Sequence, residues 1–261
     1  MYPLIYAVKS CEEKPNPAKY AMHTHDNYEI FCFLSGNAKY FVEGNTYTLR
    51  AGDILIMKKA EAHSLLINSE VPYERIVINF NSNAVAEDLR EEIMSFLDSR
   101  PLGINNRYSA AAFKDTGWIY YLEKICEAKS PYEQKAYLTV LLLELKNAYS
   151  RICGKQAVSG DMMNILEYIN GHLAEDLSLE RITNRFYISK SHINRRFKTI
   201  IGTTVRQYIL TKRLLLAKEL LQGGEHPTRV YLKCGFNDYC TFFRAYKAKF
   251  GASPKSSLPR R

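Results

Sequence analysis

The sequence predicts a two-domain α+β protein. An N-terminal β-barrel or sandwich with flanking helices is followed by an all-α domain, in which two helix-turn-helix units are joined by a linking helix. Three observations predict this. Residues 20–80 are short runs of β-branched and aromatic residues separated by turn signals. From residue 84 the apolar period becomes helical. Charge is split as well: residues 156–261 hold 18 Lys+Arg against 8 Asp+Glu, whereas residues 1–155 hold 18 against 19. All the excess positive charge of this net +9 chain is therefore C-terminal, which points to a polyanion partner for that part alone. A length of 261 residues fits about two domains.

Six strands are expected: "YEIFCFLSG", "AKYFV", "TYTLR", "DILIM", "HSLLI" and "YERIVINF". The turns between them are Ser35-Gly36, Glu43-Gly44-Asn45, Ala51-Gly52-Asp53 and Asn68-Ser69. Three helices follow, in "AVAEDLREEIMSFLDS", "DTGWIYYLEKICEA" and "PYEQKAYLTVLLLELKNAYSRIC". In the last, Leu138, Leu141, Leu145, Ala148 and Ile152 fall at alternating three- and four-residue steps. That stripe suits a helix covering the barrel or a seam between two copies. The expected first domain is 1–153, with the barrel at about 1–82 and helices at about 84–153. "GKQAVSG" (154–160) reads as a linker, and 161–261 forms the second domain.

In the second domain, polar N-caps and glycine stops mark each helix. After "MMNILEYINGHL", Ser178 caps "LERITNRF" and Ser189 caps "KSHINRRFKTII", which stops at Gly202. "VRQYILTKRLLLAKELL" stops at Gly223-Gly224. Pro227 opens "PTRVYLKC", ended by Gly235, and Asp238 caps "YCTFFRAYKAKF", ended by Gly251. Two helix-turn-helix units result, at 179–201 and 227–250. Ile193, Phe197 and Ile200 make the buried stripe of the first second-helix, so Ser191, Asn194, Arg195 and Lys198 face out. Phe242, Tyr246 and Phe250 do the same in the second, leaving Thr241, Arg244 and Lys247 outward. Asparagine and arginine on such a face suit adenine and guanine edges in the major groove. A single cation here is as ordinary as any solvated charge; the repeated layout in a basic segment is what points to DNA.

These residues carry a family resemblance. "GFNDYCTFFRAYKAKFGASP" (235–254) resembles the signature of the AraC/XylS transcription regulators through Gly235, Phe236, Asp238, Phe242, Arg244, Lys247, Phe250, Gly251, Ser253 and Pro254. "SKSHINRRFKTIIGTTVRQYILTKRLLLAKELL" resembles the family's first recognition helix and linking helix. The resemblance covers about 161–255. It implies a bacterial, cytoplasmic, dimeric regulator that binds double-stranded DNA and a small-molecule effector, and contacts RNA polymerase where it activates. Tyr187 departs from a frequent glycine, which predicts backbone strain. Tyr231 departs from a usual alanine, which predicts adjusted packing. Tyr239 and Phe243 are bulkier than the usual polar residues.

"HTHDNYE" then falls at the start of a sensor domain. His23, His25, Glu29 and Gly36 resemble the first cupin motif, HxH-x3-E-x6-G. Gly52 and His63 resemble the second, but Lys58 and Ala60 replace its proline and glycine. The resemblance implies a cupin-like barrel. Residues 23, 25, 29, 31 and 33 share one parity and would share the inward face of a strand. The expected pocket is His23, His25, Glu29, Tyr40 and His63, holding a sugar or related metabolite without metal or other cofactor. Three histidines and a carboxylate also suit a transition metal, and a purely structural role is the third alternative.

No apolar run reaches the ~20 residues of a membrane helix, and the N-terminus lacks the pattern of a signal peptide. The six cysteines show no CxxC pair or zinc spacing, so reduced core thiols are expected. That scatter also excludes a zinc-cysteine DNA-repair centre. A metal-dependent cupin enzyme fused to a DNA-binding tail is the alternative to a non-enzymatic regulator. The degraded second motif counts against it.

Overall fold

The computed structural model describes residues 4–20, 22–68, 70–113, 116–152, 161–201 and 203–259. The linker "GKQAVSG", the stop at Gly202, Ser69, Cys153 and the side chain of Ile152 lie outside the described residues. The chain divides into two compact units, Met1–Val158 and Ser159–Arg261.

In the first unit all six expected strands form: β2 (Tyr28–Ser35), β3 (Ala38–Val42), β4 (Asn45–Thr48), β5 (Ile54–Met57), β6 (His63–Ile67) and β7 (Tyr73–Phe80). Two more join them, β1 (Ile5–Glu12) and the short β8 (Arg107–Tyr108), which interrupts the stretch expected to be helical. All pairings are antiparallel. One sheet has the order β1-β7-β2-β5-β8 and the other β4-β3-β6. The barrel-or-sandwich alternative thus resolves as two facing sheets. Their shared core holds Phe31, Phe33, Leu55 and Met57 from the first sheet, and Tyr40, Val42, Leu65 and Ile67 from the second.

The outer face of the five-stranded sheet is also buried. Ile30, Cys32, Ile54, Ile56, Ile76 and Ile78 pack against α1 (Glu87–Asp98), α2 (Trp118–Glu127) and α3 (Pro131–Ile152). This double burial explains why "IFCF" and "ILIM" are unbroken apolar runs rather than alternating ones. It also decides the role of the α3 stripe. Leu138, Leu141 and Leu145 are 0% exposed within this core, so the stripe covers the sheet and is not a free seam for a second copy. Cys32 and Cys234 are core thiols as expected, but Cys11 and Cys240 are exposed.

The second unit is helical: α4 (Asp161–Gly171), α5 (Leu179–Phe186), α6 (Lys190–Arg196), α7 (Val205–Gln222), α8 (Pro227–Lys233) and α9 (Tyr239–Phe250). The cap chemistry is as the sequence dictates. Ser178 accepts from Arg181 N–H, Ser189 from His192, Thr204 from Gln207 and Asp238 from Thr241. One expectation fails. After Arg196 the backbone widens into a π-turn, Phe197–Ile201. The extra residue per turn rotates the phase, so Ile201 is buried where Ile200 was expected and Ile200 is half-buried.

Gly235 shows why glycine stands between α8 and α9. Its φ is +75°, and a Cβ there would lie 2.4 Å from the Leu173 carbonyl oxygen and 2.8 Å from the Arg213 guanidinium. Tyr187 ends α5 in the left-handed region, at φ 52°, as its departure from glycine predicts. Tyr231 meets Tyr239 edge-on at 5.8 Å, which is how the packing between α8 and α9 adjusts to the missing alanine.

Candidate functional site

In the helical unit, Ile193, Phe197, Phe242 and Tyr246 are 0% exposed and anchor the second helix of each helix-turn-helix unit. The opposite faces then point outward. Ser191, Arg195, Lys198, Thr241, Arg244 and Lys247 are exposed, and Asn194 is half-buried. Among the described residues, Arg195, Lys198, Arg244 and Lys247 form no ion pair. Asn194 and Thr241 line one groove together with Thr204, Arg206, Asn237 and Asp238. The exposed faces of α6 and α9 therefore border one groove, where these four cations form no ion pair although the carboxylates of Glu175, Asp176 and Asp238 also line it. Tyr239 and Phe243 pack on each other, 6.2 Å between rings, and Phe243 is half-buried.

In the sandwich, the structure brings the five expected pocket residues together, but not by strand parity alone. β2 begins at Tyr28, so only Glu29, Phe31 and Phe33 face inward by alternation. His23 joins through a backbone bridge to His63, with both N–H groups donating to the partner's carbonyl at 3.0 Å. It stays exposed at its side chain. Glu29, from the larger sheet, is 5% exposed and sits opposite Tyr40 and His63 of the smaller sheet, which are 3% and 1% exposed. The Tyr40 hydroxyl donates to Glu29 Oε1 at 3.1 Å, and His25 Nε2 lies 3.1 Å from Oε2. His63 Nε2 lies 3.9 Å from Oε1. It is buried and has no hydrogen-bond partner.

Electrostatics sort these groups. Burial alone would raise the Glu29 pKa, but the hydrogen bond from His25 and the positive fields of the three histidines hold it at about 2. Burial would lower that of His25, but the Glu29 carboxylate outweighs it and the net shift is upward. Burial pulls His63 down to about 4, against the opposing pull of Glu29. The site is thus a buried carboxylate that stabilises the cationic form of His25, beside a His63 that is neutral near neutral pH and has one open nitrogen.

The turn before His63 explains how a degraded motif still places it. Ala60 adopts φ 64°, a left-handed conformation suited to the glycine it replaces. The turn is held instead by Glu61, 1% exposed, which accepts from Lys58 N–H, Gly103 N–H, Asn106 and both terminal nitrogens of the buried Arg100. The Glu61 carbonyl then accepts from His63 Nδ1 at 2.8 Å, while His25 Nδ1 donates to the Asn27 carbonyl at 2.9 Å. Tying each Nδ1–H to a carbonyl leaves both Nε2 atoms as acceptors turned toward the centre whenever the rings are neutral. The side-chain donor atoms of His23, His25 and His63 all lie within 4.8 Å of one another. Sequence reading missed Glu61 and Arg100, because a partner 39 residues away leaves no local signal.

Two family models match the chain. One describes an AraC-like ligand binding domain and matches residues 12–114; the other describes a helix-turn-helix domain and matches residues 182–258. The HTH-type transcriptional activator RhaS of Escherichia fergusonii is 22% identical over 243 residues, 89% of this chain and 85% of that protein. LumQ of Photobacterium leiognathi is 34% identical over 95 residues, 36% of this chain and 38% of its own. A crystal structure of ToxT from Vibrio cholerae with bound unsaturated fatty acid aligns over 97% of this chain and 94% of its own, at 15% identity and a TM-score of 0.43. Among the described residues, no helix is long and apolar enough to cross a membrane.

Proposed function

Since the chain belongs to the AraC/XylS family of DNA-binding transcription regulators, with an AraC-like ligand-binding domain ahead of its helix-turn-helix domain, we propose that its effector binds between the two β-sheets. His23, His25, Glu29, Tyr40 and His63 contact it there. One observation carries this reading: the open, buried Nε2 of His63 beside an ionised, buried Glu29. Buried polar atoms without partners are rare and call for an occupant. Paired carboxylate, phenol and imidazole groups over aromatic walls suit a hydroxylated metabolite such as a sugar. We further propose that Ser191, Asn194, Arg195 and Lys198 read one major groove and Thr241, Arg244 and Lys247 the next. The linking helix α7, of 18 residues, spans about 27 Å and sets that spacing near one DNA turn. The protein acts without catalysis, as a homodimer, and contacts RNA polymerase where it activates.

The test is a reporter assay with His25→Ala and His63→Ala proteins. Both should lose the effector response and keep basal operator binding. Normal responses from both would overturn the assignment.

A second reading has its own observation. The three converging histidine nitrogens, two of them oriented by backbone carbonyls, fit a divalent transition metal, with Glu29 as a fourth donor. A bound metal would supply an open coordination position for an oxygen ligand. Elemental analysis of protein purified without an affinity tag separates the readings: near-stoichiometric metal, lost in His63→Ala, favours this one. If the chain is an enzyme fused to a DNA-binding tail, these substitutions remove turnover and leave transcription unchanged.

A further inference from the structure

A second polar cluster lies on the same inner face of the five-stranded sheet. Arg75 of β7 is the cross-strand partner of Ser10 on one side and of Phe33 on the other. Phe33 belongs to the inter-sheet core, so Ser10, Tyr73 and Arg75 point between the sheets as well. The Arg75 guanidinium lies over the Tyr20 ring at 4.7 Å and the Tyr73 ring at 5.3 Å. Its Nε and Nη1 are buried and have no hydrogen-bond acceptor. Beside it, the buried Ser10 Oγ and Tyr73 hydroxyl make no well-formed hydrogen bond either, although the Tyr73 and Tyr20 hydroxyls lie close enough to the guanidinium to favour its charged form.

Ordinary structure accounts for only part of this. The two rings can stabilise a guanidinium, but they meet its charge through their faces and leave in-plane N–H donors open. The neighbouring carboxylate, Glu12, is engaged by the Tyr20 hydroxyl at 2.5 Å and by Lys19 at 3.6 Å. Among the described residues it forms no ion pair with Arg75. A cation buried with open donors is costly until an anion reaches it, and the Ser10 and Tyr73 hydroxyls stand beside it to complete such a contact.

We propose that Arg75, Ser10 and Tyr73 bind the carboxylate of an acidic effector, with Arg75 supplying the charge and the hydroxyls adding hydrogen bonds. This rests on the reading of the inter-sheet space as the effector site, and narrows it. Glu29 pairs with Asn79 and Phe33 with Arg75, so the two polar clusters lie four residues apart along β7. That is about 13 Å at ~3.3 Å per residue. Phe31 and Val77 lie between them. An effector that reached both clusters by displacing the Phe31 side chain between them would be acidic at the Arg75 end and neutral or hydroxylated at the Glu29 end. Among carbohydrates this selects sugar acids over neutral sugars; an aliphatic acid shares the same carboxylate chemistry.

The test uses the full chain with arginine side chains labelled by nitrogen-15, titrated with acetate and with its neutral isostere acetamide. Acetate should shift the Arg75 Nε–H resonance saturably and acetamide should not. Arg75→Met should weaken acetate binding at least about tenfold, as loss of a charge-assisted hydrogen bond requires. Ser10→Ala, which removes only a hydroxyl, should weaken it several-fold with the fold intact. D-galacturonate against D-galactose, and octanoate against 1-octanol, then distinguish a sugar acid from an aliphatic acid. Within the pair that binds, the acid must bind more tightly. No saturable acetate shift, an equal response to acetamide, or full acetate binding in Arg75→Met would each overturn the proposal. A His25→Ala, His63→Ala double variant should keep the acetate response. If acetate binds there normally while the reporter assay shows no role for the histidines, the pocket assignment fails and the carboxylate site stands.

Discussion

Replacing Glu29 by glutamine removes one buried charge and preserves shape. In the folded chain the Glu29 carboxyl is held at about 2 against an ordinary value of 4.5. Part of that displacement comes from a charged His63, which is neutral above about 4, so about 3 kcal/mol is the most the carboxylate adds to stability at neutral pH. It is an upper figure, because a neutral isostere in place of a buried ion recovers part of the loss; the expected cost is about 1–3 kcal/mol. The pH dependence follows from the sign. A carboxyl depressed in the folded state contributes fully above the unfolded value near 4.5, and that contribution fades as pH falls toward 2. His25 works in the opposite sense. Its raised pKa contributes below the unfolded value near 6.5 and is lost as pH rises through the folded value. In Glu29→Gln this second contribution disappears with the counter-charge. The assay is urea unfolding of both proteins at pH 6 and pH 3. The wild type should be more stable at pH 6, and the carboxyl's share of the gap should fall by more than half at pH 3. Equal stability at pH 6, or a gap that grows on acidification, would show that Glu29 is not held ionised by its neighbours.

Three further outcomes are expected. Arg195→Ala should weaken cognate-site binding by about 1–3 kcal/mol and relax selection at one base pair; a gel-shift series over single-base operator variants measures both. The fragment 156–261 should bind DNA alone, with affinity that falls steeply with salt, because both reading faces lie within it. Gly235→Ala and Tyr187→Gly should move the thermal midpoint in opposite directions. The first forces a Cβ onto the Leu173 carbonyl at φ +75° and should cost about 2–4 kcal/mol; the second relieves a left-handed tyrosine and should gain about 1 kcal/mol.

The helical unit was legible in the sequence because its determinants are local. Ser178, Ser189 and Asp238 cap the helix that follows within three residues, and Gly251 ends α9 at φ 69°. Stripes such as Phe242–Tyr246 show at helical spacing. Where a local rule misled, backbone geometry had changed: the π-turn at Phe197–Ile201 moved burial from Ile200 to Ile201. The strands were legible for the same local reasons, but their partners were not. "HTHDNYE" supplied Glu29, yet only the facing of two sheets set Tyr40 and His63 against it, and only Glu61 with Arg100 fixed the His63 turn without the missing proline and glycine. The α3 stripe suited a core or a dimer seam equally. The buried outer face of the five-stranded sheet chose the core, because apolar surface is covered by whatever lies against it, wherever that falls in the chain. Arg75 had inward parity in "YERIVINF" all along. That its Nε and Nη1 lack acceptors is a property of three dimensions, because satisfying a buried donor depends on atoms from distant strands.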